Sequence, residues 1–298
     1  MIGIDIGGTK IETAIFKRGF SQIESWRVTT PTKDYGEFIQ AIEEQVIKAD
    51  KLTDQKCVVG IGMPGLINNK GQVLSANVPC ATGKYIAEDL EARLQRPVKL
   101  KNDTRCFALS EANNGAGHGY QRVFGAIIGT GAAGGLCIDG QLDDSKLGTA
   151  GEYGHLPLSA HLQQKYDLPI LTCGCGLIGC VESYISGPGI EFLNLHLTGE
   201  KLTATKWAEQ LSLEDVNAER VLECYLDILG ESFASLCKLI EPDVIVLGGG
   251  VSKIALLATL LPQYIERYLF DGFHAPKVVC AKFGDSSGVR GAAMLGVL

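Results

Sequence analysis

The stretch Ile2-Gly3-Ile4-Asp5-Ile6-Gly7-Gly8-Thr9-Lys10 opens the chain, and Ile127-Ile128-Gly129-Thr130-Gly131 matches it in the second half. Each is an apolar run that ends in a glycine and threonine turn. A second apolar run follows each turn, at 11–16 and at 135–138. One glycine hairpin is common. Two of them, at matching places in two halves, predict a duplicated unit. Working outward, 23–29 reads as a third strand, and three adjacent strands with tight turns predict an antiparallel start to a sheet. A helix is predicted over 35–51, with Phe38, Ile42, Val46 and Ile47 on one face. A buried strand at 58–62 runs into Pro64-Gly65, and Asn68-Asn69-Lys70-Gly71 reads as a hairpin tip. A helix at 86–94, a strand at 98–100 and a helix at 103–113 complete the first half. The second half restarts with a strand at 123–128. It continues with a helix over about 218–240, a strand at 244–247, a further helix, a strand at 278–281 and a closing helix from 287. The pattern predicts an α/β protein of two related lobes facing a cleft, 1–120 and 121–298, with no Ser-, Pro- or Gly-rich linker between them.

Composition agrees with that architecture. A chain of 298 residues with 46% apolar residues can bury a sizeable core. Its 37 glycines come in clusters, which points to tight turns rather than disorder. The net charge is −7 and no basic run is present, so nucleic acid is not an expected partner. An acidic chain can still bind a nucleotide, because backbone amides and a metal ion neutralise phosphates locally. No basic start precedes an apolar run, and no apolar stretch reaches the roughly 18 residues of a membrane span. Ten cysteines are too sparse for a disulfide scaffold. The expectation is a cytoplasmic protein with reduced thiols and no membrane partner.

Five constellations carry chemistry. In the first turn, backbone amides at Gly7 and Gly8 can approach phosphate oxygens. Thr9 and Lys10 add donors there, and Asp5 can hold Mg²⁺ directly or through water. Gly129, Thr130, Gly131, Gly134 and Gly135 form a second candidate phosphate loop. Gly248, Gly249 and Gly250 follow the apolar strand 244–247 and could let an adenosine lie against backbone; close strand–helix packing is the alternative explanation of such a triplet. The spacing is not G-x-G-x-x-G, which disfavours a nicotinamide enzyme. Asn102-Asp103 stands between a strand and a helix. Asp103 could take the proton of an attacking hydroxyl, while helix capping is the plainer explanation of an Asn-Asp pair. Last, Cys173, Cys175 and Cys180 have C-x-C-x₄-C spacing downstream of Glu152 and His155. Three cysteines and one histidine suit a structural, tetrahedral Zn²⁺. His161 also lies upstream, so the spacing alone does not choose the histidine. The other seven cysteines lie mostly in apolar runs and read as core.

Taken together, residues 5–10, Asn102-Asp103, 129–135, Glu152-x-Gly-His155, Cys173 to Glu182 and the Gly248 triplet resemble the ROK family of sugar kinases and repressors. That family has the two-lobed actin/hexokinase-type (ribonuclease H-like) ATPase fold. The likeness runs over nearly the whole chain, and Cys-Gly-Cys-x₄-Cys-x-Glu downstream of Glu-x-Gly-His is its most specific part. It implies ATP, Mg²⁺ and Zn²⁺ as cofactors and a small sugar as partner, and since family members are often dimers it leaves a homodimer open. It implies that Asp103 is the catalytic base. Asn102, Glu152, His155 and Glu182 would bind sugar hydroxyls, with Gly65 and Asn77 nearby, and His155 would also ligate zinc. Asn77-Val78-Pro79, Thr82-Gly83-Lys84, residues 106–112 and residues 184–187 are most similar to members acting on N-acetyl-D-glucosamine. The implied activity is transfer of the ATP γ-phosphate to its 6-hydroxyl. Glucose, fructose and N-acetylmannosamine are the alternative substrates, and a sugar-responsive regulator is the alternative without catalysis. Family repressors carry a helix-turn-helix segment before the kinase-like part; with the first turn starting at residue 5, none is expected here. Two positions depart from the family pattern: Ala133 replaces a usual glycine, and Thr104-Arg105 replaces Ala-Asn.

Overall fold

The structure is a computed structural model that describes residues 1–143 and 147–297. Strands β1 (Ile2–Ile6), β2 (Lys10–Phe16) and β3 (Gln22–Thr29) form an antiparallel meander. Ile2, Ile4 and Ile6 share one face of β1 and are buried, and Gly3 on the opposite face is buried too, which fits a central strand covered on both faces. Helix α1 (Tyr35–Thr53) begins at Asp34, whose side chain accepts from Glu37 N, and ends at Asp54 in a left-handed conformation. Its buried face holds Phe38, Ile39, Ile42, Val46 and Ala49. Ile47, predicted on that face, is 41% exposed, because it stands one residue, about 100°, past Val46.

Strand β4 (Val59–Met63), the hairpin β5 (Leu66–Ile67) and β6 (Val73–Leu74), α2 (Ile86–Leu94), β7 (Val98–Asn102) and α3 (Asp103–Ala112) follow. The first sheet has the order β3-β2-β1-β4-β7, with β4 and β7 parallel to β1. The second sheet is built from β8 (Arg122–Ile128), β9 (Ala132–Ile138), β10 (Gln141–Leu142), β11 (Val244–Gly248) and β12 (Lys277–Cys280). Its order, β10-β9-β8-β11-β12, is that of the first sheet repeated. The duplication legible in the two glycine turns is therefore a duplication of whole sheets.

Between β10 and β11 lie α4 (Ala160–Tyr166), α5 (Glu182–Ile185), α6 (Gly187–Thr198), α7 (Ala204–Ser212) and the long α8 (Val216–Ile240). Helix α9 (Ala255–Glu266) and α10 (Ser287–Met294) complete the chain. Helices α4, α5, α6 and α7 are absent from the sequence expectation. At the start of α6, Gly187-Pro188-Gly189, Ser186 caps the helix by accepting from Gly189 N at 3.2 Å, and proline suits a first turn. Among the described residues no helix is long and apolar enough to cross a membrane.

The chain divides into two compact units. One comprises Met1–Gly119, Gly135–Ala150 and Lys282–Leu298, and the other Tyr120–Gly134 and Gly151–Ala281. The chain changes unit at 119/120, 134/135, 150/151 and 281/282. The chain crosses back within β9, and α10 returns at the C-terminus to pack on β1, β4 and α3 of the first unit. A helix with ordinary local pattern carries no signal of which strand it will cover.

Candidate active site

In the first unit the turn after β1 is closed by Gly7 N donating to Lys10 O at 2.8 Å. Thr30, at the end of β3, latches it: its hydroxyl donates to Gly7 O at 2.7 Å and its amide to Thr9 O at 3.1 Å. Thr9 and Lys10 are exposed at the tip. Gly8 faces Asn77, since a Cβ at Gly8 would lie 3.0 Å from Asn77 O, so the structure brings Asn77 against this turn. Asp5 pairs across β1–β4 with Gly62, and Gly62 in turn abuts the first residue of α3, with its Cβ position 3.6 Å from Asp103 Cα. Asp5 and Asp103 thus belong to one neighbourhood. Burial, then the Asp103 and Glu12 carboxylates, pushes Asp5 up to about 7 against the pull of Lys10 and Arg27. Burial likewise pushes Asp103 up to about 6, against the Thr104 N–H that donates to its Oδ1 at 2.9 Å. Two buried acids this close favour holding protons.

Asn102 is 6% exposed and both ends of its amide are hydrogen-bonded. Oδ1 caps α3, accepting from Thr104 N at 2.8 Å and from Thr104 Oγ1 at 2.5 Å, while Nδ2 donates to Gly65 O at 2.8 Å. The capping role weighed against a binding role is realised here. Gly65 has φ +116°, and a Cβ on it would lie 2.3 Å from Leu74 O, so only glycine fits where the chain turns beneath Asn102. Arg105, a departure from the family pattern, is buried and donates to Ala150 O at 3.1 Å. It does not face solvent.

In the second unit the turn is Gly129-Thr130-Gly131, closed by Gly129 N donating to Gly131 O at 2.8 Å. Gly134 and Gly135, expected in that loop, lie inside strand β9. A Cβ at Gly134 would stand 2.5 Å from Gly125 O, and one at Gly135 would stand 2.9 Å from Arg105 Cα. Their bareness serves packing. Gly249 has φ +83° and packs on Ile128, where a Cβ would lie 2.3 Å from the carbonyl oxygen, whereas Gly250 faces open space. The triplet leads into a single 3₁₀ turn, Val251–Lys253, ahead of α9.

The same unit gathers His155, Cys173, Cys175 and Cys180, whose ligand atoms all lie within 4.8 Å of one another. His161 is exposed and not part of the group, so the structure makes the choice between histidines that spacing left open. Cys175 Sγ and Cys180 Sγ are 3.8 Å apart, and Cys173 Sγ is 3.8 Å from His155 Nδ1. Zn–S bonds of about 2.3 Å at tetrahedral angles place two thiolates about 3.8 Å apart, which the Cys175–Cys180 separation matches. Burial raises Cys173 and pushes Cys180 up to about 12, while the Leu177 N–H lowers Cys175. A cation would reverse the two upward shifts. Nε2 of His155 faces Glu152 Oε2 at 4.0 Å. Glu182 connects the cluster to the glycine turn, because Oε2 accepts from Ala132 N at 2.8 Å and Oε1 lies 3.6 Å from Cys173 Sγ. A Cβ at Gly131 would meet Oε2 at 2.8 Å, so that glycine makes room for Glu182. Of the seven cysteines read as core, Cys57, Cys106, Cys137 and Cys224 are buried. Cys80 and Cys237 are half-buried and Cys280 is exposed, at the end of the edge strand β12. Sequence reasoning missed Thr30, Ser287 and Gly288, none of which stands in a motif; each matters only through a residue distant in sequence.

Two duplicated sheets, each with a glycine turn after its first strand, define an actin/hexokinase-type ATPase fold. The ROK family pattern matches residues 1–297, and the chain belongs to the ROK family. It is 46% identical over 294 residues to an N-acetylgalactosamine kinase of Shewanella sp. (strain ANA-3), covering 99% of this chain and 96% of the relative. It is 41% identical over 304 residues to an N-acetyl-D-glucosamine kinase of Vibrio cholerae, covering 99% of each. Among solved structures, a ROK hexokinase from Thermus thermophilus superposes with a TM-score of 0.86 at 30% identity, over 99% of this chain and 97% of that one. A ROK family glucokinase from Streptomyces griseus, solved with glucose and AMPPNP, superposes with a TM-score of 0.80 at 26% identity, over 99% and 98%.

Proposed function

We propose that this chain is an ATP-dependent sugar kinase that phosphorylates the 6-hydroxyl of N-acetyl-D-glucosamine. The observation that carries the reading is Asp103, at the start of α3 beside Asp5, with a proton affinity raised towards neutrality. That is the property wanted of a base that must accept a hydroxyl proton and later release it. The sugar O6 bonds to the γ-phosphorus, the bond from that phosphorus to the β,γ-bridging oxygen breaks, ADP leaves, and the O6 proton passes to Asp103. Gly7, Gly8, Thr9 and Lys10 in the first turn, and Gly129, Thr130 and Gly131 in the second, would present donors to the phosphates. Gly250 would offer the open surface for adenosine. Mg²⁺, held through Asp5, supplies positive charge that neutralises the phosphates. Asn77, Glu152, His155 and Glu182 would bind sugar hydroxyls and the acetamide; Asn77 can both donate and accept. Asn102 would bind a sugar hydroxyl with Gly65 nearby, while holding Gly65 and capping the helix that carries Asp103. Zn²⁺ on His155, Cys173, Cys175 and Cys180 would fix the His155 ring with Nε2 free for the sugar side. A cytoplasmic location accords with such a reaction.

The Shewanella relative favours a second reading, N-acetyl-D-galactosamine, which differs from N-acetyl-D-glucosamine only in configuration at C4. A coupled ADP-release assay over N-acetylglucosamine, N-acetylgalactosamine, N-acetylmannosamine, glucose and fructose separates these. We expect the highest kcat/KM for N-acetylglucosamine. A higher value for N-acetylgalactosamine installs the second reading. A value for glucose equal to that for either amino sugar removes both, because a site that pairs the acetamide discriminates strongly against a sugar lacking it.

A further inference from the structure

We propose that Glu111, acting through Ser287 and the first turn of α10, is a positioning residue that sets Asp5 beside Asp103; this rests on the kinase reading above. Glu111 lies two turns along α3 from Asp103 and is fully buried. Its carboxylate accepts four hydrogen bonds. Oε1 takes Ser287 Oγ at 2.5 Å and Phe283 N at 3.1 Å, and Oε2 takes Ala116 N at 2.9 Å and Lys282 N at 3.0 Å. Three of the four donors belong to the segment that launches α10. One turn on, Arg290 donates to Ser110 O and Oγ and to Asn113 O, so α10 is fastened to α3 at two points.

Helix α10 lies close against the strands that carry the site. A Cβ at Gly3 would stand 2.1 Å from Val289 O, one at Gly60 1.8 Å from Ala292 O, and one at Gly291 1.7 Å from Cys106 O. Backbone contacts this close leave the helix no room to slide. Gly288, next to Ser287, lies directly against Asp5: a Cβ there would be 2.7 Å from Asp5 Oδ2. The path is therefore short. Glu111 fixes Ser287, Ser287 fixes Gly288, and Gly288 bounds one side of the Asp5 carboxylate. Since Glu111 and Asp103 share α3, the two acids are referred to one rigid element. A burial-driven helix contact alone needs no charged group; four donors converging on one carboxylate fix both the distance and the rotation of α10.

The test uses the full chain and the variants Gly288→Ala, Ser287→Ala and Glu111→Gln, with the double variant of the first and last. We expect Gly288→Ala to lower kcat about 10- to 100-fold, with sugar KM within about threefold and the melting temperature nearly unchanged, because only the placement of a charged group is altered. Glu111→Gln should lower kcat similarly, Ser287→Ala less, and the double variant no more than its worse parent, since both act on one placement. Sugar affinity by calorimetry without ATP should survive in every folded variant. A crystal structure of Gly288→Ala should show the Asp5 carboxylate displaced. Unchanged kcat in Gly288→Ala, additive losses in the double variant, or an unmoved Asp5 in that crystal structure each overturn the proposal. If the parent turns over no sugar, the kinase reading fails by itself, and the position of Asp5 in the variant crystal still decides the placement.

Discussion

Asp103 shows how one residue takes its chemistry from its surroundings. Burial is the dominant cause of its raised proton affinity, and the Thr104 N–H only partly offsets it. Asp103→Asn keeps the shape and the acceptor but removes the base. Turnover should fall by about 10²- to 10⁴-fold while sugar affinity, read by calorimetry, stays near normal. Near-normal turnover would remove Asp103 from the role. The pH dependence follows with a definite sign. A base must be ionised to accept a proton, and below about 6 the Asp103 carboxyl carries one. The rate should therefore fall as pH drops through about 6 and level off above it. A profile flat from about pH 5 to about pH 8 would contradict the assignment.

At the scale of elements, the β7–α3 junction and the cysteine loop each carry a prediction. Asn102→Asp keeps an acceptor for the helix cap but loses the donor to Gly65, whereas Asn102→Ala loses both. The alanine variant should lose about 1 kcal/mol or more of stability through the missing cap. Both should lower kcat/KM, because Gly65 and the start of α3 are no longer tied. Equal activity in the Asp variant and the parent would make the tether irrelevant. The cysteine loop should hold one zinc per chain, measured by elemental analysis after purification without chelator. Cys175→Ser with Cys180→Ser should abolish the metal. It should also reduce activity strongly, since Glu182 lies two residues beyond Cys180 and shares the loop with Cys173. Full activity in that double variant would dissociate the loop from the site.

For the whole molecule, ligands that bind only the folded state should raise its stability by mass action. At a hundred times its dissociation constant a ligand adds about 2.7 kcal/mol. N-acetylglucosamine and Mg·ATP should each raise the melting temperature, and duplex DNA should not. A shift with DNA alone would favour the regulator reading. The division into two units is discontinuous, with α10 in the first and residues 151–281 in the second.

The sequence by itself determined the local and the repeated. Asp5 to Lys10 and Gly129 to Gly131 could be read as turns because glycine, threonine and flanking apolar runs fix that geometry over a few residues. The cysteine spacing pointed to a cluster of thiols with a histidine because neighbouring cysteines on tight turns need little else to come together. Tertiary structure decided what depends on residues far apart in the chain. It selected His155 over His161, placed Gly134 and Gly135 inside a strand, and turned Asn102 inward to cap α3 and hold Gly65. It also brought Ser287 and Gly288, more than 170 positions from Glu111 and more than 280 from Asp5, to those two carboxylates. Glycine and serine at a helix start look ordinary in a sequence; their effect depends on which buried charge the packing sets against them.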